Sequence, residues 1–162
     1  MWVVWSVLLL QIASFGYAAI PDPPTARTTT IGARKLATAE DCSGVVAFSA
    51  SHGHINDARV VLSETLVNKG VGYVPTTGTF TTHCPGLYQF SFAGYGSSDL
   101  RLTLKRKGSK SQSWIPVISV GPGGGSNLVL LDMEAGDQLA VFVESGKISD
   151  GATFTGHRMA KK

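Results

Sequence analysis

The ten residues HCPGLYQFSF, from His83 to Phe92, contain the pattern that decides the fold. Its second half places an aromatic ring at every second position, in the order Tyr88, Phe90 and Phe92. A period of two is typical of a β-strand, in which alternate side chains face the core. The stretch therefore predicts a core strand of a β domain, and Pro85-Gly86 predicts the turn that precedes it.

The composition of the 162-residue chain favours one β-rich domain. Hydrophobic residues make up 43%, which is enough for a core and argues against a disordered chain. Charged residues make up only 15%, while 19 glycines and seven prolines supply many turns. The formal net charge of +3 is too small to predict a nucleic-acid-binding protein.

The first 18 residues have the character of a secretory signal peptide. They carry no charge, contain the apolar run Val7–Ile12, and end with the small residues Gly16 and Ala18 where a signal peptidase cleaves. We therefore expect a secreted, extracellular protein with a signal peptide at residues 1–18. The alternative is an uncleaved membrane anchor, because no Lys or Arg precedes the run. The run is short for a bilayer span, so we expect no membrane span after cleavage.

Residues 19–42 are predicted to form a flexible leader. Three of the four residues from Pro21 to Pro24 are prolines, and a run of threonines follows. The leader contains no Gly-x-y triplets, so no collagen stalk is expected, and no apolar heptads, so no coiled coil is expected. The globular domain is predicted at residues 43–160.

Turn residues divide this domain into ten predicted strands, and no segment shows a helical period. The strands are predicted at about 44–50, 58–63, 71–74, 79–82, 87–94, 99–107, 113–120, 127–133, 138–144 and 153–159. Turns between them are predicted at His52–His54, at Lys69–Gly70 and at Gly121–Gly125. Many short strands without helices indicate a sandwich, jelly roll or barrel.

A longer pattern surrounds the opening stretch. Its members, which we predict to lie in the core, are Asn68, Tyr73, Phe80, Gly86, Tyr88, Phe90 and Phe92. This spacing resembles the signature of the C1q domain family, with Leu62 in place of the family's leading Phe, an exchange that should preserve packing. The Gly136-Asp137-Gln138 turn and the closing Phe154-x-Gly156 strand are also similar to the family pattern.

The resemblance implies an all-β, ten-stranded jelly-roll sandwich of the C1q/TNF type that forms a homotrimer. It implies a non-enzymatic module whose three heads bind an extracellular ligand with avidity. Our main hypothesis is innate-immune or lectin-like recognition of a glycan or of a microbial or anionic surface. The alternative is an extracellular signalling ligand, cerebellin-like or TNF-like, that binds a cell-surface receptor.

Cys42 and Cys84 are the only two cysteines. In a secreted chain both are expected to be oxidised. An intrachain bridge would stabilise the fold by about 4 kcal/mol. The alternative, similar to cerebellin-like relatives, is that Cys42 links chains and Cys84 remains a buried thiol.

No catalytic residue is predicted. His83 and Cys84 are adjacent in an extended segment, so their side chains point to opposite faces and cannot act as a base–nucleophile pair. No cofactor or metal is predicted either. His52 and His54, which we interpret as a hairpin tip, lack a further zinc ligand. The positions at which family members bind calcium are glycine and proline here, which argues against calcium.

Five cations lie within ten residues, at Arg101, Lys105, Arg106, Lys107 and Lys110. Leu100, Leu102 and Leu104 alternate with polar residues, which predicts a half-buried strand that leads to a turn at Gly108. One interpretation is a hairpin kept soluble by its charge. The other is a contact for an anionic ligand. No aromatic residue interleaves with the cations in the sequence, so specific nucleic-acid binding is not expected.

Overall fold

The computed structural model describes residues 41–70 and 72–162, and the fold is all-β, as the sequence predicts. A short 3-10 turn, Asp41–Ser43, precedes ten strands. The strands are β1 Ala47–Asn56, β2 Arg59–Lys69, β3 Tyr73–Val74, β4 Thr79–Thr81, β5 Gly86–Tyr95, β6 Arg101–Lys107, β7 Ile115–Val120, β8 Gly124–Met133, β9 Gln138–Ser145 and β10 Thr153–Lys161. The predicted signal peptide and the leader up to residue 40 lie outside the described residues. No helix in the described part of the chain is long and apolar enough to cross a membrane.

The strands form two five-stranded antiparallel layers. Sheet I has the order β2-β1-β10-β5-β8, and sheet II has the order β3-β4-β9-β6-β7. One residue pair, Arg59 opposite Phe142, joins β2 to β9 and so connects the two layers.

The core lies between the sheets and is rich in aromatic rings. Tyr88, Phe90 and Phe92 of β5 are all buried, as the alternation predicts. The ring of Phe48 stacks on Tyr73 at a centroid distance of 4.8 Å and on Phe80 at 5.1 Å. Sheet II contributes Leu100, Leu102 and Leu104, which are fully buried. Burial of these side chains provides the main favourable term in the stability of the domain.

Two buried tyrosines of the signature satisfy their hydroxyl groups with backbone carbonyls. The hydroxyl of Tyr73 donates to the Leu62 carbonyl at 2.8 Å, and that of Tyr88 donates to the Cys84 carbonyl at 2.6 Å. Burial raises the pKa of Tyr73 to about 12. Asn68 corrects the prediction of a wholly buried signature. It is exposed, and its side-chain amide donates to the Tyr73 carbonyl at 3.1 Å, so it orders a turn and does not fill the core.

The closing Phe154-x-Gly156 pattern has a packing explanation. A Cβ atom at Gly156 would lie 2.5 Å from Cδ1 of Phe90 and 2.6 Å from Cε1 of Phe48. Any larger residue would therefore displace two core rings.

The predicted turn at His52–His54 is wrong, because both histidines lie within β1 and the chain reverses at Asp57–Ala58. Gly53 faces Leu62 across the hairpin, and a Cβ atom there would lie 1.8 Å from the Val61 carbonyl oxygen. The glycine thus permits close approach of two strands instead of marking a reversal.

Two further boundaries differ from the prediction for related reasons. β8 begins at Gly124, since Gly124 and Gly125 pair with Tyr95 and Gly94. β2 continues to Lys69 because its second half pairs with β1, although its side chains are exposed and show no core-facing alternation.

Cys42 and Cys84 form an intrachain disulfide. The bridge connects the 3-10 turn to the residues just before β5. The guanidinium of Arg158 also donates to the Cys42 carbonyl at 2.5 Å and to the Gly44 carbonyl at 3.1 Å. The start of sheet I is therefore fixed both covalently and by hydrogen bonds.

Candidate binding surfaces

The cationic strand β6 is an inner strand of sheet II and lies between β9 and the edge strand β7. Because successive side chains point to opposite faces, Lys105 and Lys107 lie on the outer face with Thr103, while Leu102 and Leu104 face the core. The sheet therefore separates the neighbouring cations of the sequence instead of presenting them together.

Lys105 and Lys107 lie over aromatic rings that come from other segments. The Nζ atom of Lys105 is 4.8 Å from the ring centroid of Phe142 in β9, and it forms a 2.8 Å ion pair with Glu144. The Nζ atom of Lys107 is 5.3 Å from the ring of Trp114, which precedes β7. Both contacts are cation–π interactions.

Arg59, at the start of β2, joins the two contacts into one group. Its Cζ atom lies 5.3 Å from the Trp114 ring and 5.4 Å from the Phe142 ring. The two rings meet edge to face at 5.2 Å. We call this group the cation–aromatic cluster, and its members are Arg59, Lys105, Lys107, Trp114, Phe142 and Glu144.

Arg106 has a different role, because it forms a 2.5 Å ion pair with the buried carboxylate of Asp137. The same carboxylate accepts hydrogen bonds from the backbone N–H groups of Ser109 and Glu134, each at 3.0 Å. Burial acts to raise the pKa of Asp137, but these hydrogen bonds and the Arg106 charge outweigh it and lower the pKa. Asp137, the acid of the Gly-Asp-Gln turn, thus connects the turn after β6 to the turn before β9.

The other two predicted cations, Arg101 and Lys110, are exposed. Within residues 41–70 and 72–162, neither forms an ion pair. The structure therefore brings only Lys105 and Lys107 of the five predicted cations together in one cluster.

The outer face of sheet I has the opposite character. Its three central strands present small, hydroxyl or uncharged residues at outward positions, together with one histidine: Ala47, Ser49, Ser51, Leu87, Gln89, Ser91, Ala93, Thr153, Thr155 and His157. No Asp, Glu, Lys or Arg occurs among these positions. β8 adds Leu128 and Leu130, which are 52% and 53% exposed.

The structure also shows the surroundings of His83, Cys84 and His52, which the sequence analysis considered for catalysis and metal binding. Cys84 is bonded to Cys42 and therefore cannot supply a thiolate beside His83. His52 lies 3.5 Å from Glu64, on the exposed hairpin of β1 and β2. Within the described residues, no three His, Cys, Asp or Glu side chains are grouped so that they could hold a metal ion.

The profile of the C1q domain family matches residues 46–159. The chain belongs to the C1q domain family.

Solved structures agree with this C1q fold. The globular domain of zebrafish complement 1qA is 19% identical, with a TM-score of 0.60 over 74% of this chain and 100% of that one. Eiger TNF from S. frugiperda is 15% identical, with a TM-score of 0.59 over 73% and 94%. Murine APRIL is 11% identical, with a TM-score of 0.59 over 72% and 100%. At these identities the likeness shows the C1q/TNF jelly-roll fold. No curated protein matches the sequence significantly.

The sequence did not point to four members of the cluster on this C1q domain: Arg59, Trp114, Phe142 and Glu144. Trp114 had a usable signal, because a hairpin turn across residues 108–113 places it beside Lys107. The sequence contains no such signal for Phe142 and Arg59. They reach the cluster through strand pairings between β9, β6 and β2 that no local pattern encodes.

Proposed function

We propose that the protein is a secreted, non-enzymatic recognition module of the C1q type that forms a homotrimer and binds extracellular ligands in innate immunity. In this proposal residues 1–18 are the signal peptide, residues 19–42 the leader and residues 43–160 the head. Family membership supports a ligand-binding role.

The uncharged centre of the outer face of sheet I, on β1, β10 and β5, is the observation that carries the assembly. The charged residues Glu64, Lys69 and Asp132 lie on the edge strands β2 and β8. Burial of a charge costs several kcal/mol unless the charge is paired, and the central strands present no carboxylate, ammonium or guanidinium at their outward positions. The hydroxyls of Ser49 and Thr155 already hydrogen-bond to each other at 3.1 Å, so covering them would leave fewer unsatisfied groups. Exposed Leu128 and Leu130 add apolar area at one edge.

A closed trimer would direct the outer faces of the three copies of sheet II away from the common interface. Three identical ligand sites on one particle then bind a repetitive surface with avidity, even when each site is weak. Repetition is characteristic of glycan and microbial surfaces, which supports a lectin-like role.

Multi-angle light scattering on the mature protein tests this proposal. We expect three times the chain mass, both with and without reductant, because the disulfide lies within one chain. A monomer under both conditions would contradict the proposed assembly. Saturable binding to one membrane receptor, without binding to glycans, would instead support a signalling ligand.

A further inference from the structure

We propose that the cation–aromatic cluster on the outer face of sheet II is a binding site for acidic glycans, that is, for chains of sugars with sulfate or carboxylate groups. The inference rests on the proposed recognition function and assigns a ligand class and a site to it.

The cluster has an excess of positive charge. The cluster contains three cations, Arg59, Lys105 and Lys107, and a single carboxylate, Glu144. Like charges held near two shared rings repel each other, and an anionic ligand would relieve that repulsion. Arg106 does not contribute to this excess, because Asp137 neutralises it.

The cations of the cluster are held in fixed positions before a ligand binds. The aromatic rings hold each cation in place, and Arg59 also donates to the Thr79 hydroxyl at 3.3 Å. A cation that is already positioned loses less side-chain entropy when it binds an anion, so the site is partly preorganised. Trp114 acts here as a positioning residue, since it contacts both Arg59 and Lys107.

The aromatic rings of the cluster are occupied, which favours a glycan over a single-stranded nucleic acid. Binding of bases requires free aromatic faces. Cations already lie over the Trp114 ring and the Phe142 ring, and Phe142 is only 8% exposed. Neither ring is therefore free to stack on a base.

The surroundings of the cluster match a sugar chain. Lys105 and Lys107 lie two residues apart on one strand face, about 7 Å along the strand, which suits charges that recur along a linear polymer. Polar outward residues lie nearby: Gln138 donates to the Thr81 hydroxyl at 3.4 Å, and the exposed Ser119 is hydrogen-bonded to the buried Thr103 hydroxyl at 2.7 Å. Such hydroxyl and amide groups can also bind sugar hydroxyls.

The experiment measures binding of the intact chain to immobilised heparin at about 0.15 M salt. Four variants are compared with the wild type: Lys105→Ala/Lys107→Ala, Trp114→Ala, Trp114→Phe and Lys147→Ala. Lys147 is exposed and lies outside the cluster, so it is the matched control for loss of a cation. Near-ultraviolet circular dichroism checks that each variant is folded.

We expect the double variant to bind about 10-fold more weakly and Trp114→Ala about 5-fold more weakly, although the latter retains every charge. Trp114→Phe and Lys147→Ala should stay within about twofold of the wild type. Equal binding by Trp114→Ala and the wild type would overturn the role of the cluster, and so would equal loss in Lys147→Ala.

Competition identifies the ligand class. Heparin should compete most strongly, and desulfated heparin, which keeps only its carboxylates, less strongly. Single-stranded DNA and phosphatidylcholine vesicles with about one fifth phosphatidylserine should compete weakly. Stronger competition by DNA or by vesicles would overturn the assignment to glycans. A monomer that binds heparin through Trp114 would contradict the proposed trimer and leave this site intact, while a trimer that does not bind heparin would refute the site alone.

Discussion

The outer faces of the two sheets are built by the same alternation of side chains, yet they differ in nearly every physical property. On sheet I, the row across β1, β10 and β5 consists of Ser49, Thr155 and Ser91. On sheet II, Phe142 of β9 lies opposite Thr103 of β6, with Lys105 and Lys107 beside them. Arg59 of β2 reaches the same place through the one pair that joins the two sheets. The centre of the first face carries no charge, and Glu64, Lys69 and Asp132 lie on its edge strands, whereas the second face concentrates cations.

The difference in charge determines which face a protein partner can cover at low desolvation cost. A protein partner can cover the central strands of sheet I without desolvating a charge, so the desolvation cost of self-association is small there. Covering sheet II in the same manner would bury three cations, which is costly unless the partner supplies anions. This contrast supports the two proposals, self-association through sheet I and ligand binding at sheet II.

The two sheets also differ in how their ends are fixed, and loss of the disulfide at the end of sheet I should have the largest effect on stability. Cys42→Ser/Cys84→Ser should lower the free energy of unfolding by about 4 kcal/mol, because the unfolded chain regains the entropy of a closed loop. Urea denaturation measures this. Reductant should destabilise the wild type and leave the double variant unchanged. A loss below about 1 kcal/mol would show that the bridge contributes little to the fold.

Loss of the Asp137 carboxylate, which fixes the turns of sheet II, should have a smaller effect. Asp137→Asn should cost about 2 kcal/mol, since it leaves the Arg106 guanidinium without its anion. The exposed Asp132→Asn is the matched control and should change stability by less than about 0.5 kcal/mol.

The contribution of Asp137 should also depend on pH. Its pKa in the folded state is lowered, so the carboxylate stabilises the fold above the pKa of the unfolded chain, and this stabilisation is lost as the pH falls through the folded pKa. The gap between wild type and Asp137→Asn should therefore be constant near neutral pH and shrink below about pH 4. A gap that is unchanged in acid would mean that the carboxylate is not the source of the stabilisation.

Local patterns were sufficient to predict an all-β domain, and the resemblance to C1q domains implied the jelly roll. Tyr88, Phe90 and Phe92 alternate within one strand, so the sequence itself shows that they share a face. Gly53 was misjudged because a glycine that permits a close approach of strands has the same local context as one in a turn. The length of β2 was also missed, since its exposed second half has no partner in the core.

The candidate site was predicted only in part, because it depends on contacts between distant segments. Lys105 and Lys107 were identified from their charge. Neighbouring Arg106 was grouped with them, although the pairing with Asp137, 31 residues away, assigns it to a structural ion pair. Arg59 reaches the cluster through a single strand pairing with Phe142, and such a register follows from the tertiary fold alone.

Two substitutions, one on each outer face, test whether self-association and ligand binding occupy separate faces. Leu130→Glu places a charge on sheet I at a side chain that is 53% exposed, and Lys107→Glu reverses a charge on sheet II. Light scattering gives the mass of each variant, and calorimetry with a short heparin oligosaccharide gives the affinity of each single site. We predict that Leu130→Glu is a monomer with unchanged site affinity and that Lys107→Glu is a trimer that no longer binds the oligosaccharide. A Leu130→Glu trimer, or loss of both properties in either folded variant, would contradict the separation of the two faces.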